Sequence, residues 1–332
     1  MVNVFSMTED NLKEYSRTLN LYTGETCRNV LWEGKNGNVV QLSFHRFVSY
    51  KNVHVIGAYV EIKPVNCDVK ATVVSGINAQ VTNHGAQHLT EFSKRAFEEK
   101  FLQMGMVTTE SAVSIAVSTV HKVFQSGKYT EDAASKIIDD RRKIHAEIQL
   151  VIPQGETARV EKISTVHSSR DLEYVASGKE PEGENVCRDG LDNLKEAEEK
   201  GYETLLEESK KVWEKIWKKQ DIQIDSKEDD AQIAVRFALY HLQIMVRRKI
   251  TGLVLVQRHL VEKDIKDILS GIQRHLFSHI SRWQNRRRQE LFWNSVIRDC
   301  TVQERKRSKM VTKEPCTRGK QHGSVMVKLH RM

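Results

Sequence analysis

Apolar and polar side chains alternate along much of the first half of this chain, and a two-residue period marks a strand with one buried face. Val40, Leu42 and Phe44 alternate with Gln41, Ser43 and His45. The run Gly34-Lys35-Asn36-Gly37-Asn38 just before them is turn chemistry, because Gly and Asn tolerate positive φ, so a hairpin is expected there. Ile144, Ala146, Ile148 and Leu150 alternate with His145, Glu147 and Gln149 until Pro153 and Gly155 close the run. Val113, Ile115 and Val117 behave the same way around Ser114 and Ala116. Short strands punctuated by turns predict an antiparallel β-sandwich up to about Arg170. Between Glu91 and Met104, Phe92, Phe97 and Phe101 would also fit a helix, but the flanking pattern assigns the segment to strands.

The pattern changes after Ala176. Ser177-Gly178-Lys179-Glu180-Pro181-Glu182-Gly183 has the Gly, Pro and charge content of a linker, which is expected to reach Gly190. From Leu191 to Lys219, Leu205, Val212, Trp213, Ile216 and Trp217 recur at helical spacing between Glu and Lys. Trp213 and Trp217 share one helix face and are read as packing anchors in preference to a sugar-stacking platform, since apolar stripes are usually core. Asp221 to Asp225 is a short alternating connector. Asp229 or Asp230 then caps a helix from Ala231 to Met245 whose Ile233, Phe237, Tyr240, Leu242 and Ile244 call for burial among other helices.

Charge divides the chain more sharply than its net +8 suggests. From Arg247 onward there are 21 Lys and Arg against 7 Asp and Glu, which leaves 31 against 37 for the rest. A basic appendage on an acidic body can mean nucleic-acid binding, or two halves never selected together. Cys27, Cys67, Cys187, Cys300 and Cys316 are odd in number and irregularly spaced, which suits a reducing cytoplasm better than a disulfide framework or a zinc site. No run approaches 18 apolar residues, and the acidic start from Met1 to Asp10 is no signal peptide, so no membrane is expected as a partner.

Trp213, Trp217, Asp221-Ile222-Gln223-Ile224 and Asp230-Ala231-Gln232-Ile233-Ala234-Val235-Arg236-Phe237-Ala238-Leu239-Tyr240-His241-Leu242 resemble the linker and first barrel helix of glycoside hydrolase family 65, the inverting α-glucoside phosphorylases. Gln41 to Phe47 and Gln80-Val81-Thr82-Asn83-His84-Gly85 resemble the later part of that family's N-terminal sandwich. The resemblance runs from about residue 10 to 245 and implies four segments: a partial sandwich over 1–175, linker and helices over 176–225, the start of an (α/α)6 catalytic barrel over 226–246, and a tail over 247–332 that does not fold natively. The family also has more sandwich before this start. For the intact enzyme the resemblance implies a disaccharide substrate, inorganic phosphate as co-substrate, neither metal nor organic cofactor, and a homodimer. One Glu would act as general acid while phosphate attacks the anomeric carbon from the opposite face. That Glu and the phosphate ligands lie beyond the first barrel helix, so no catalytic, cofactor-binding or metal residue is assigned here. The choice among maltose, kojibiose, nigerose and trehalose stays open.

After Val246 the family pattern stops, yet the tail can be back-translated so that another register carries it. Join the third base of each codon to the first two of the next, with free choice of synonymous codons. From Lys263 the result can be written GYKGHSFWDTE, and from Ser308 QNGYQGAMYPWEAAWISDGEVTPH; from Arg248 it can be written KDNRIGIGAKALGGEG. The family's Gly-Tyr-Lys-Gly-His and Phe-Trp-Asp-Thr-Glu motifs stand in the first. A lost reading frame near Val246 explains both the motifs and the charge split. On that reading Arg286-Arg287-Arg288 and Arg305-Lys306-Arg307 are accidental, not phosphate grips. His259, His275 and His279 lack an HExxH glutamate, Cys300 and Cys316 lack zinc spacing, and Gly319 and Gly323 lack a phosphate-loop context. In the body, His45, His84 and His88 are read as structural histidines, and Asp139 to Arg142 as an exposed turn. Two rival readings stand beside this one: a non-catalytic carbohydrate-binding sandwich, and a nucleic-acid-binding protein with a basic tail.

Overall fold

A computed structural model describes residues 3–7, 11–83, 85–130, 135–177, 181–225, 229–245 and 326–331. The chain divides into two units, Met1–Trp217 with Gln321–Met332, and Lys218–Lys320.

In the first unit the strands are β1 (Asn3–Val4), β2 (Leu12–Asn20), β3 (Glu25–Glu33), β4 (Val39–Val48), β5 (Val55–Pro64), β6 (Val69–Asn78), β7 (Thr82–Asn83), β8 (Ala86–Gln87), β9 (Leu89–Phe97), β10 (Phe101–Thr108), β11 (Ser114–Gln125), β12 (Lys128–Tyr129), β13 (Ser135–Asp140), β14 (Lys143–Ile152), β15 (Ala158–Ser168) and, from the tail, β16 (Met326–Arg331). Helix α1 spans Leu172–Ser177, and α2 spans Gly183–Gln220. One sheet runs β2-β3-β4-β5-β15-β11-β10-β9, with β12 beside β11; the other runs β1-β16-β6-β14-β13.

The expected sandwich is present, and period two explains its core. Val40, Leu42, Val60 and Ile62 of the larger sheet face Val69, Ala71, Val73, Ile144, Ile148 and Leu150 of the smaller, all buried in one cluster. The hairpin between β3 and β4 turns where Gly34 to Asn38 predicted it, with Gly37 at φ 76°. Glu91 to Met104 contributes strands, as the flanking pattern indicated.

Three expectations need correction. The β11 alternation was read as one-sided, but Ala116 and Ser118 are fully buried, because α2 covers the other face of that sheet. Helix α2 begins at Gly183 rather than Leu191, so the stretch from Gly183 to Gly190 read as linker is helical. Its carbonyls take buried side-chain donors: Gln103 Nε2 donates to Cys187 O at 2.7 Å and Thr165 Oγ1 to Gly190 O at 2.7 Å. Lastly, Asp139 and Asp140 end β13, and only Arg141 and Arg142 make the turn.

Helix α2 bends at Gly201, whose φ of 73° and ψ of 170° lie where an L side chain is strained. The bend sets Tyr202 and Leu205 down on Phe47 and Val55, in a second buried cluster with Leu194, Ala197, Phe101, Val120 and Ile163. Trp213 and Trp217 continue that contact. Trp213 is 1% exposed and tilts against Tyr50 at 4.5 Å, and Trp217 Nε1 donates to Leu21 O at 2.9 Å. Both indoles are therefore anchors, as expected, and not an open stacking platform. Trp213→Ala should cost about 3–5 kcal/mol of unfolding free energy, the range for emptying a buried aromatic site. A denaturant titration that moves by less than about 1 kcal/mol would contradict this packing role.

In the second unit α3 spans Asp229–Met245, so both aspartates lie in its first turn. Arg236 holds Asp221 through two hydrogen bonds of 2.8 and 2.7 Å, and Gln232 bonds Ile222 O and Ile224 N, which ties the connector to the helix. Val235, Ala238 and Tyr240 are buried, whereas Ile233, Phe237 and Ile244 are exposed.

Candidate functional site

Two clusters of chemistry-bearing side chains stand out among the described residues, and each joins elements far apart in sequence. The first contains His54, His167 and Asp171. The Asp171 carboxylate is fixed by Ser168, accepting from its N–H at 2.9 Å and from its hydroxyl at 2.8 Å. The rings of His54 and His167 stack with centroids 4.0 Å apart and planes 12° from parallel. His54 Nδ1 donates to Val166 O at 2.9 Å. Asn193 of α2 donates to His167 Nε2 at 3.0 Å and accepts from Asn52 at 2.8 Å. That network leaves the His167 proton on Nδ1, facing Asp171 Oδ2 at 3.6 Å. Burial pushes the pKa of His167 down to about 4, with the positive charge that His54 can carry acting in the same direction.

Those three residue types can bind a metal ion, but the geometry does not suit one. An imidazole lone pair lies in the ring plane and needs the ion about 2.0–2.1 Å away. Lone pairs in two stacked, nearly parallel rings do not meet at one point, and His167 Nε2 is already engaged by Asn193. The cluster acts instead as a clasp, joining the segment before β5, the end of β15 and helix α2.

The second cluster lies on the α2 side of the larger sheet. Cys27 and His45 are cross-strand partners on β3 and β4, and His45 pairs with Tyr59 on β5. Cys27 Sγ is 3.2 Å from His45 Nε2, and His45 Nδ1 is 3.0 Å from Glu25 Oε1. Tyr202 donates its hydroxyl to the same Glu25 oxygen at 2.8 Å. The Tyr59 ring stacks on the imidazole at 4.5 Å and carries the Arg159 guanidinium on its far side at 3.7 Å. Burial pushes the Cys27 thiol up, and the carboxylates of Glu25 and Glu61 add to the effect.

Of the histidines read as structural, His45 sits in this cluster. His88 offers its carbonyl to Thr109 N at 3.0 Å, and His84 lies outside the described residues. Arg286 to Arg288, Arg305 to Arg307, His259, His275, His279, Cys300, Cys316, Gly319 and Gly323 also lie outside them. No helix among the described residues is long and apolar enough to cross a membrane. Sequence reasoning assigned roles to none of His54, His167, Asp171, Glu25 and Cys27. One signal was available: Cys27 and His45 lie equally far from Asn36, so the predicted hairpin turn already placed them opposite each other.

Sheet order and the strapping helix together define a two-sheet sandwich module with a long helix packed on its larger sheet. A family model described as "Glycosyl hydrolase family 65, N-terminal domain" matches residues 2–216, and the chain belongs to that family. It is 33% identical over 238 residues to a kojibiose phosphorylase of Halothermothrix orenii, covering 72% of this chain and 30% of that protein. It is 30% identical over 243 residues to the kojibiose phosphorylase of Escherichia coli, covering 73% and 30%. To a nigerose phosphorylase of Lachnoclostridium phytofermentans it is 26% identical over 251 residues, 70% of this chain and 31% of that one. Among solved structures, a "Putative kojibiose phosphorylase from human microbiome" superposes with a TM-score of 0.61 at 13% identity, over 73% of this chain and 30% of its own; this likeness shows the fold alone. The chain thus spans about 30% of the length of the curated relatives it matches.

Proposed function

We propose that this chain is the front part of an inverting α-glucosyl disaccharide phosphorylase, and that the rest of that enzyme is encoded behind Val246 in a displaced reading frame. As written it catalyses nothing, because the general-acid Glu and the phosphate ligands of such an enzyme fall in the displaced part. The intact enzyme would convert a disaccharide and inorganic phosphate into β-glucose 1-phosphate and a free sugar, in the cytoplasm and as a homodimer. The sandwich and linker would support the barrel without touching the reacting atoms. One observation carries this reading: three stretches of the tail, starting at Arg248, Lys263 and Ser308, can be written as family motifs in a single shifted register by choice of synonymous codons. The first two bases of most codons are fixed by the residue, so synonymous choice alone does not generate such motifs repeatedly.

Resequencing codons 235 to 260 from fresh genomic DNA tests the reading directly. A missing base near codon 246 supports it, and an unbroken frame whose shifted translation lacks Phe-Trp-Asp-Thr-Glu overturns it. A second expectation concerns the protein. An out-of-frame tail carries no selected core, so brief proteolysis of the 332-residue chain should cut it beyond about residue 246. A monodisperse full-length product that resists protease would count against the displaced frame.

A further inference from the structure

We propose that Cys27 is a nucleophilic thiol assisted by His45 and competent for exchange with small disulfides. The geometry is that of an activated nucleophile: thiol to imidazole 3.2 Å, imidazole to carboxylate 3.0 Å, and the carboxylate anchored by the Tyr202 hydroxyl at 2.8 Å. Each part has a stated role. Glu25 fixes the tautomer by accepting from Nδ1, which leaves the Nε2 lone pair facing Sγ. Tyr59, stacked under the ring, holds its orientation. Cys27 is only partly buried and so remains within reach of a small reagent.

The charges around the thiol decide how it reacts. Glu25 on β3 and Glu61 on β5 oppose a resting thiolate, and the Arg159 guanidinium lies behind Tyr59 and beside Glu203 of α2, away from the sulfur. The thiol therefore rests neutral and needs His45 as a base at the moment of attack. As Cys27 Sγ attacks one sulfur of the disulfide, its proton passes to His45 Nε2. The disulfide bond breaks, a new Sγ–S bond forms, and the departing thiolate takes the proton from the imidazolium. The products are one mixed disulfide at Cys27 and one free small thiol. Glu25 stabilises the transient imidazolium and is a positioning residue.

The test uses the full chain, kept fused to a solubility partner and treated with a chromogenic aromatic disulfide from pH 6.5 to 8.5. Labelling at each cysteine is then quantified by peptide mass spectrometry. An unassisted thiol reacts about tenfold faster per pH unit below its pKa, because only thiolate attacks. Cys67, half-buried at the edge of the core, should follow that slope. Cys27 should instead depart from that slope and react at a nearly constant rate above pH 7, with His45 accepting the proton at the moment of attack. His45→Gln should restore the tenfold slope and lower the rate at pH 7 by about tenfold or more. The unsubstituted chain is decisive even if that variant fails to fold. A Cys27 rate that climbs tenfold per pH unit, or a Cys27 left unlabelled while Cys67 reacts, overturns the proposal.

Discussion

Inserting one base at codon 246 should turn a gene product that releases no glucose 1-phosphate into one that does. The insertion would move every later codon into the register in which Lys263 onward can be written GYKGHSFWDTE. Nothing before Val246 changes, so sandwich and linker keep their packing. Incubation with phosphate and each of maltose, kojibiose, nigerose and trehalose, followed by coupled detection of the sugar phosphate, gives the readout. The expected contrast is between no activity and turnover within the usual enzymatic range of about 1–1000 per second. Silence with all four sugars, from a restored chain that folds and stays soluble, would remove the proposed activity. Resequencing could still find the missing base, and the origin of the tail would then stand apart from the question of substrate.

Lowering the pH from 7 to 5 should destabilise the sandwich by about 4 kcal/mol through two histidines, each losing about 1.4 kcal/mol per pH unit below 6.5. His121, half-buried on β11, has Nε2 against Ser75 Oγ at 2.9 Å; burial pushes its pKa down to about 3, and the adjacent Lys162 ammonium adds to this. His167, in the stacked clasp, is held down to about 4. Above pH 6.5 both are neutral, folded or unfolded, and contribute no pH dependence. As pH falls below 6.5 the unfolded chain takes up protons that the folded chain refuses, so stability drops until the folded pKa values are reached. Lys162, whose burial lowers its pKa to about 8, stays charged throughout this window and adds no slope. Urea midpoints followed by the fluorescence of Trp32 and Trp213 should record the decline. His121→Gln should remove about half of it, and a flat profile between pH 7 and 5.5 would refute the assignment.

The legible parts of the fold were those with one wet face. β4 and β14 alternate visibly because their polar side chains face away from the core. β10 did not, because Phe101 to Met106 are buried on both sides and leave no period to read. The start of α2 was hidden for a different reason. Pro181 and Gly183 look like a linker locally, and only contact with Ala116, Ser118 and Gln103 reveals a helix there. The paired tryptophans could be assigned from spacing, since two indoles four residues apart share a face whatever they meet. The clasp could not, since His54 and His167 come together only when β5 and β15 pair.

One strand carries a consequence of its own. Met326–Arg331 lies antiparallel along Val69–Val74, and Asn3–Val4 lies along its far side. A ladder is made by main-chain groups, which every residue but proline supplies alike, so such a seat selects for extended backbone and is nearly blind to spelling. Left bare, six residues of β6 would offer the kind of edge on which chains stack into aggregates. Any segment able to take an extended backbone can satisfy that edge. Met326–Arg331 thus closes, by main-chain pairing alone, a stretch of β6 that would otherwise be open to another chain.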